Sequence, residues 1–241
     1  MRRNFDITFV ILIVILAANS FRSGAFSDPM SWLMNTLMLL PAIIIGLAFH
    51  EYAHAVVAYK LGDPTPKMQR RVTINPVAHI DPVGLAALIF AGFGWGVPVQ
   101  INPANFKNRR RDELLVSLAG VTMNLIIAVI FAVVAKVLIL TLGASSLSVD
   151  SFGTTLWTMI MYIIQINLVL MVFNLIPCPP LDGFSIISEI FNIKHTEFYW
   201  TLYRYGNWIL IALIIFGITG RILSPCVNFM FDLLYTYIIL F

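Results

Sequence analysis

His50, Glu51 and His54 stand together in the pentapeptide His50-Glu51-Tyr52-Ala53-His54. On a helix the two histidines lie one turn apart on the same face, so both imidazoles reach one metal ion. Glu51, offset by about 100° from His50, is placed to meet a water at that metal. Two neutral nitrogen ligands and a neighbouring base are what zinc-assisted hydrolysis requires. The flanks, Leu39 to Phe49 and Ala55 to Tyr59, are apolar. Ionisable residues inside such a stretch are costly and mark a functional site by default. A solvated helix face does not account for them. A buried, hydrogen-bonded histidine pair without metal is the alternative, and it ranks behind zinc.

The chain that must position these groups has 241 residues, 59% hydrophobic and 11% charged, with a mean hydropathy of +0.88. Soluble domains run at about 45–50% apolar and about 25% charged, so the composition points to an all-α polytopic membrane protein. A span needs about 20 largely apolar residues. Six fit, at about 7–19, 32–61, 114–142, 154–176, 199–218 and 222–241, in a single membrane-embedded domain over 1–241. The run Ile7 to Ala18 also has features of a signal peptide, but a first span makes better sense of the rest. Ser27-Asp28-Pro29 reads as the start of the second helix.

Between spans two and three, residues 64–106 are expected to form a strand and re-entrant region. Gly62-Asp63-Pro64 breaks the helix. Arg70 to Asn75 and Pro98 to Pro103 read as short strands, and the glycine-rich stretch Val83 to Val97 is too short for a span. No internal repeat is visible. The net charge of +3 needs no nucleic-acid partner, because the basic residues lie between spans. With the N-terminus inside, twelve of them fall on the cytoplasmic side (Arg2, Arg3, Lys60, Lys67, Arg70, Arg71, Lys107, Arg109, Arg110, Arg111, Lys194, Arg204) and three outside (Arg22, Lys136, Arg221). That asymmetry is the one expected of a multi-pass protein of the cell membrane with both termini cytoplasmic. It brings the ends of spans two and four, and hence His54 and Asp182, to the cytoplasmic side.

A catalytic zinc takes three protein ligands and leaves one position open. His79, Asp81, Cys178, Asp182 and Glu189 are candidates for the third. Asp182 follows the rigid turn Pro177-Cys178-Pro179-Pro180, and by spacing alone it is equally a ligand or the N-cap of the helix that follows. Cys178 reads as a small apolar filler, and His79 and Asp81 as groups that fix their loop.

Phe49 to His54 and Asn174-Leu175-Ile176-Pro177-Cys178-Pro179-Pro180-Leu181-Asp182-Gly183 resemble the two signature motifs of the site-2 proteases, which are intramembrane zinc metalloproteases. Gly62-Asp63-Pro64-Thr65, Asn75-Pro76, His79-Ile80-Asp81-Pro82 and Pro98-Val99 through Asn105-Phe106 are similar to the small branch without accessory domains. The resemblance covers about Trp32 to Phe191. It implies that His50, His54 and Asp182 hold one zinc ion and that Glu51 is the catalytic base. It also implies that Asn174 faces the substrate or the oxyanion. Ala119 to Asn124 resembles the third-span motif, in which Gly120 lets helices approach and Asn124 lines the site. Val121 stands where proline is common and Cys178 where an aliphatic residue is common. Both asparagines also read as hydrogen-bonding links between helices.

The function so implied is peptide-bond hydrolysis in or next to a transmembrane segment of a substrate protein, in contact with membrane lipid. A metal-ion transporter is the chief rival. It calls for polar groups on both sides of the midplane and for inverted repeats, and neither is seen. An inactive membrane scaffold is a second, which intact Glu51 disfavours. A zinc protease of soluble segments beside the membrane is a third.

Overall fold

Asp28 starts the first helix. Its carboxylate accepts the N–H groups of Met30 and Ser31 at 3.2 Å each, and Pro29, with φ already set, takes the first helical position. The computed structural model describes residues 27–91, 94–143 and 151–240, with the single residues 14, 18, 24 and 147. Its helices are α1 Pro29–Lys60, α2 Thr65–Met68, α3 Pro82–Ala91, α4 Arg109–Leu142, α5 Ser151–Asn174, α6 Asp182–Ile190, α7 Glu197–Ile215 and α8 Ile218–Leu234. The last runs on into a π-helical stretch, Tyr235–Leu240.

Four of these helical segments are long and apolar enough to cross a membrane: α1, α4, Phe152–Asn174 of α5, and Ile218–Leu240. The expected first span, 7–19, lies outside the described residues except for positions 14 and 18. α7, expected as the fifth span, is 19 residues long but carries Glu197 and Arg204 among its aromatics. Among the described residues, then, the membrane-length segments number four.

Helices α1, α4 and α5 pack against one another, α6 lies on α4, and α8 lies on α5. The α4–α5 seam is close because Ala128, Ala132 and Ala135 put no bulk between the backbones. Ile160, Ile164 and Leu168 of α5 fill the same core. The turn from α5 to α6 is held by an apolar cluster of Ile176, Cys178, Leu181 and Leu210. Cys178 is a buried filler there, as its sequence context suggests.

No strand occurs among the described residues, which corrects the expectation for 70–75 and 98–103. Arg70 adopts a left-handed backbone (φ 57°) just after α2, and the N–H groups of Arg71 and Thr73 are taken by Pro66 and Arg71 carbonyls. Asn75 then caps a 3-10 turn at Pro76–Ala78. The backbone donors that a strand would offer a partner are therefore used locally. Along 98–102 the Val99 and Asn102 N–H groups are taken by side chains of other segments, Glu51 and Asp63. The path itself folds back: α3 runs out for ten residues, about 15 Å, and Gly96 returns to pair with Ile80 in an isolated antiparallel bridge. Gly84 permits this return, since a Cβ there would sit 2.0 Å from the Trp95 carbonyl oxygen.

Asp63, fully buried, ties the region to the end of α1. It accepts hydrogen bonds from the Thr65 N–H (3.0 Å) and hydroxyl (2.6 Å), the Asn102 N–H (2.7 Å) and the Asn105 amide (2.7 Å). Burial alone would raise the Asp63 pKa, but these donors outweigh it and hold the carboxyl below the ordinary 3.8. A depressed carboxylate stabilises the fold above its unfolded pKa, and that contribution fades as pH falls through the folded value. Asp63→Ala is therefore expected to lower the thermal midpoint at pH 7, at a cost of about 2–4 kcal/mol. The gap to wild type should close in melts run below about pH 4.

Candidate metal centre

The site is assembled on one face of α4. Val116, Gly120 and Asn124 are four residues apart, so they follow one another up the helix, and each meets a histidine of α1. The Val116 carbonyl oxygen lies 2.7 Å from His54 Nδ1. Asn124 Oδ1 lies 2.6 Å from His50 Nδ1. At Gly120 between them, a Cβ would stand 2.4 Å from His54 Nε2 and 2.5 Å from His50 Cε1. Only the missing side chain lets both rings lie against this helix.

These contacts decide where the ring protons sit. The Val116 oxygen can only accept. The Asn124 amide is oriented by its nitrogen, which donates to Asn167 Oδ1 at 3.1 Å and to the Gly46 carbonyl at 3.4 Å, leaving its oxygen as acceptor for His50. Each neutral imidazole thus donates through Nδ1 and keeps a lone pair on Nε2. The two Nε2 atoms are 3.0 Å apart, and Asp182 Oδ2 is 3.3 Å from each. That oxygen is buried and has no hydrogen-bond donor. With both rings neutral, three electron-rich atoms converge on one point.

A metal fits this vertex. Zinc bonds of about 2.0–2.1 Å in a tetrahedron give ligand–ligand edges of about 3.3–3.4 Å, close to the distances found. Among the described residues, His50, His54 and Asp182 are the one group of three or more such side chains whose ligand atoms converge.

Asp182 is not the N-cap of α6. The helix begins at Asp182, its cap position is Leu181, and no side chain closes it. The carboxylate is free to face α1 instead. The other end of α6 is clamped by the first turns of α4. Arg110 donates to the carbonyls of Glu189 (2.6 Å) and Ile190 (2.8 Å). Lys194 bridges Glu189 and Glu113, and Arg109 pairs with Glu113 at 2.8 Å. Glu189, a candidate ligand by type, is occupied in this clamp. His79 and Asp81 fix their loop: His79 Nε2 bonds the Thr73 carbonyl at 2.8 Å, and Asp81 accepts from Val83 and Gly84.

Glu51 is partly buried, and its Oε2 accepts the Val99 N–H at 2.8 Å. Asn124 is fully buried behind His50, linking α4 to α1 and α5. Asn174 donates one turn back along α5, to the Leu170 carbonyl at 2.9 Å. The α5 asparagine that does join the network is Asn167, whose own amide is anchored on the Ile163 carbonyl at 2.8 Å. Sequence reasoning passed over it. A polar asparagine between Ile166 and Leu168 in an apolar stretch is the signal the sequence offers, and the structure buries it fully.

Residues 149–216 match the model of peptidase family M50. YwhC of Bacillus subtilis, which carries the name of a zinc metalloprotease, is 39% identical over 79% of this chain and 85% of its own length. Two proteins named Rip2, also with a zinc metalloprotease name, are similar. That of Mycolicibacterium smegmatis is 26% identical over 93% of this chain and 85% of its own length. That of Mycobacterium tuberculosis is 29% identical over 73% and 66%. No solved structure gives a significant match.

The geometry makes Gly120 and Asn124 sensitive positions. Gly120→Ala is expected to abolish stoichiometric metal binding, because a methyl group would stand inside both imidazoles. Asn124→Ala is expected to weaken it by about 10–100-fold, as for other residues that orient a ligating histidine. Competition of the purified variants against a chelator measures both.

Proposed function

Because the chain belongs to peptidase family M50, we propose that His50 and His54 through Nε2, and Asp182 through Oδ2, hold the zinc ion of this intramembrane metalloprotease and that Glu51 is its general base. The observation that carries this reading is the convergence of two imidazole Nε2 atoms on one buried carboxylate oxygen. When bound, zinc polarises a carbonyl and lowers the pKa of water at the site to about 7.

The protein's own groups do the rest. The Val116 carbonyl and Asn124 fix the tautomer and tilt of the two rings, so their lone pairs stay directed at one point. The clamp on α6 holds Asp182 opposite them. Glu51, one residue from His50, takes a proton from the attacking water and returns it to the leaving amine. Asn174 stands in the motif that precedes Asp182, and we assign it to the substrate side of the site. Its amide must turn from Leu170 to serve there.

The substrate in this reading is a transmembrane segment of another protein, cleaved in or next to the bilayer. The single domain sits in the cell membrane with both termini and the metal centre towards the cytoplasm, as the distribution of basic residues supports. The glycine-rich stretch Val83 to Val97 is the re-entrant piece between the second and third of six spans. Its out-and-back path through α3 supports this.

The test joins metal analysis to cleavage of a panel of single-span peptides. Glu51→Gln is expected to retain one zinc per chain and lose cleavage by at least about 100-fold. His54→Ala and Asp182→Ala are expected to lose both. Cleavage retained in Glu51→Gln would refute its role as base. Products mapped to soluble segments alone would refute the transmembrane substrate.

A further inference from the structure

The Glu51 carboxylate is engaged by this chain's own backbone. We propose that residues Val97 to Ile101 are an intramolecular pseudosubstrate, lying across the catalytic cleft with the Val99 N–H on the Glu51 carboxylate, and that a substrate peptide must displace them. The proposal rests on the assignment of Glu51 as the general base.

Four observations carry it. The segment has no helix or strand and alternates in burial: Val97, Val99 and Ile101 are partly buried, and Pro98, Gln100 and Asn102 are exposed. Such alternation is the shape of a peptide laid along a surface in β conformation. The inward N–H groups are those of Val97 and Val99, two residues apart as an extended chain requires. They bond the His79 carbonyl (2.7 Å) and Glu51 Oε2 (2.8 Å). Both ends are pinned, by the Ile80–Gly96 bridge and by the bond from the Asn102 N–H to Asp63. Last, a base that hands its proton to a leaving amine must lie about 2.6–3.2 Å from that nitrogen. The Val99 nitrogen stands at that distance from Glu51, so the Pro98–Val99 amide meets the requirement that Glu51 sets on a scissile amide.

An occupied cleft lowers apparent substrate affinity by the fraction of molecules in which it is free. Val99→Pro removes the N–H while keeping an extended backbone accessible; Val99→Ala keeps the N–H. In full-length protein acting on a single-span peptide, Val99→Pro is expected to lower KM by about 3–10-fold with kcat maintained, and Val99→Ala to stay near wild type. Amide exchange over residues 96–102 provides a second reading. It is expected to be slow in wild type, and faster in Glu51→Ala or after addition of the single-span peptide. A fall in kcat with unchanged KM in Val99→Pro would overturn the proposal, leaving Val99 only as a group that positions Glu51. Exchange unaffected by both Glu51→Ala and the peptide would overturn it as well. Because exchange is read without turnover, it decides the matter even if no peptide is cut, and absence of cleavage would count against the protease assignment instead.

Discussion

Two lone pairs and a carboxylate oxygen meeting in an apolar interior repel one another unless a positive charge lies between them. Removing such groups from water without a compensating partner costs several kcal/mol, so the arrangement calls for a positive charge at its centre, which a metal ion can supply. The proton positions on His50 and His54 are set from outside, by a carbonyl of Val116 and an amide oxygen of Asn124. Those two acceptors orient a pair of buried histidines so that both Nε2 atoms face Asp182. The remaining architecture serves to keep three atoms within 3.0–3.3 Å of one another.

Helix α4 is the part against which the others are aligned. Its Arg110 and Glu113 hold the far end of α6, its Val116 and Asn124 orient the histidines, and Gly120 admits both rings. All of these lie within four turns of one rigid element, so the distance between the His pair on α1 and the Asp on α6 is fixed by a single ruler. The asparagine relay adds the third helix. Asn167 orients Asn124, Asn124 orients His50, and the polar groups are mutually satisfied inside an otherwise apolar bundle. Hydrogen bonds of this kind join helices that lipid would not drive together.

The connection between α1 and α4 has a different task. It contains backbone that no regular element satisfies, and buried side chains take over that role. Asp63 collects donors from three residues, His79 accepts Val97 through its carbonyl and bonds Thr73 through its ring, and Glu51 receives Val99. Glu51 is thereby bordered by a segment of the same chain, held through its backbone N–H groups.

The sequence by itself determined the chemistry and the medium. The His-Glu-x-x-His spacing places two imidazoles on one helical face, because that depends only on residues linked through one turn. Hydropathy marked the long helices for the same local reason, and the charge asymmetry predicted a common side for His54 and Asp182. The sequence also suggested strands at 70–75 and 98–103, since extended propensity does not reveal which distant group will accept an N–H. Only tertiary packing decided that Asp182 faces the histidines rather than capping α6. It likewise chose Asn167 over Asn174, two turns apart on the same helix, as the member of the relay. Both outcomes turn on helix rotation and axial depth, which arise from contacts between segments scores of residues apart and leave no trace in local spacing.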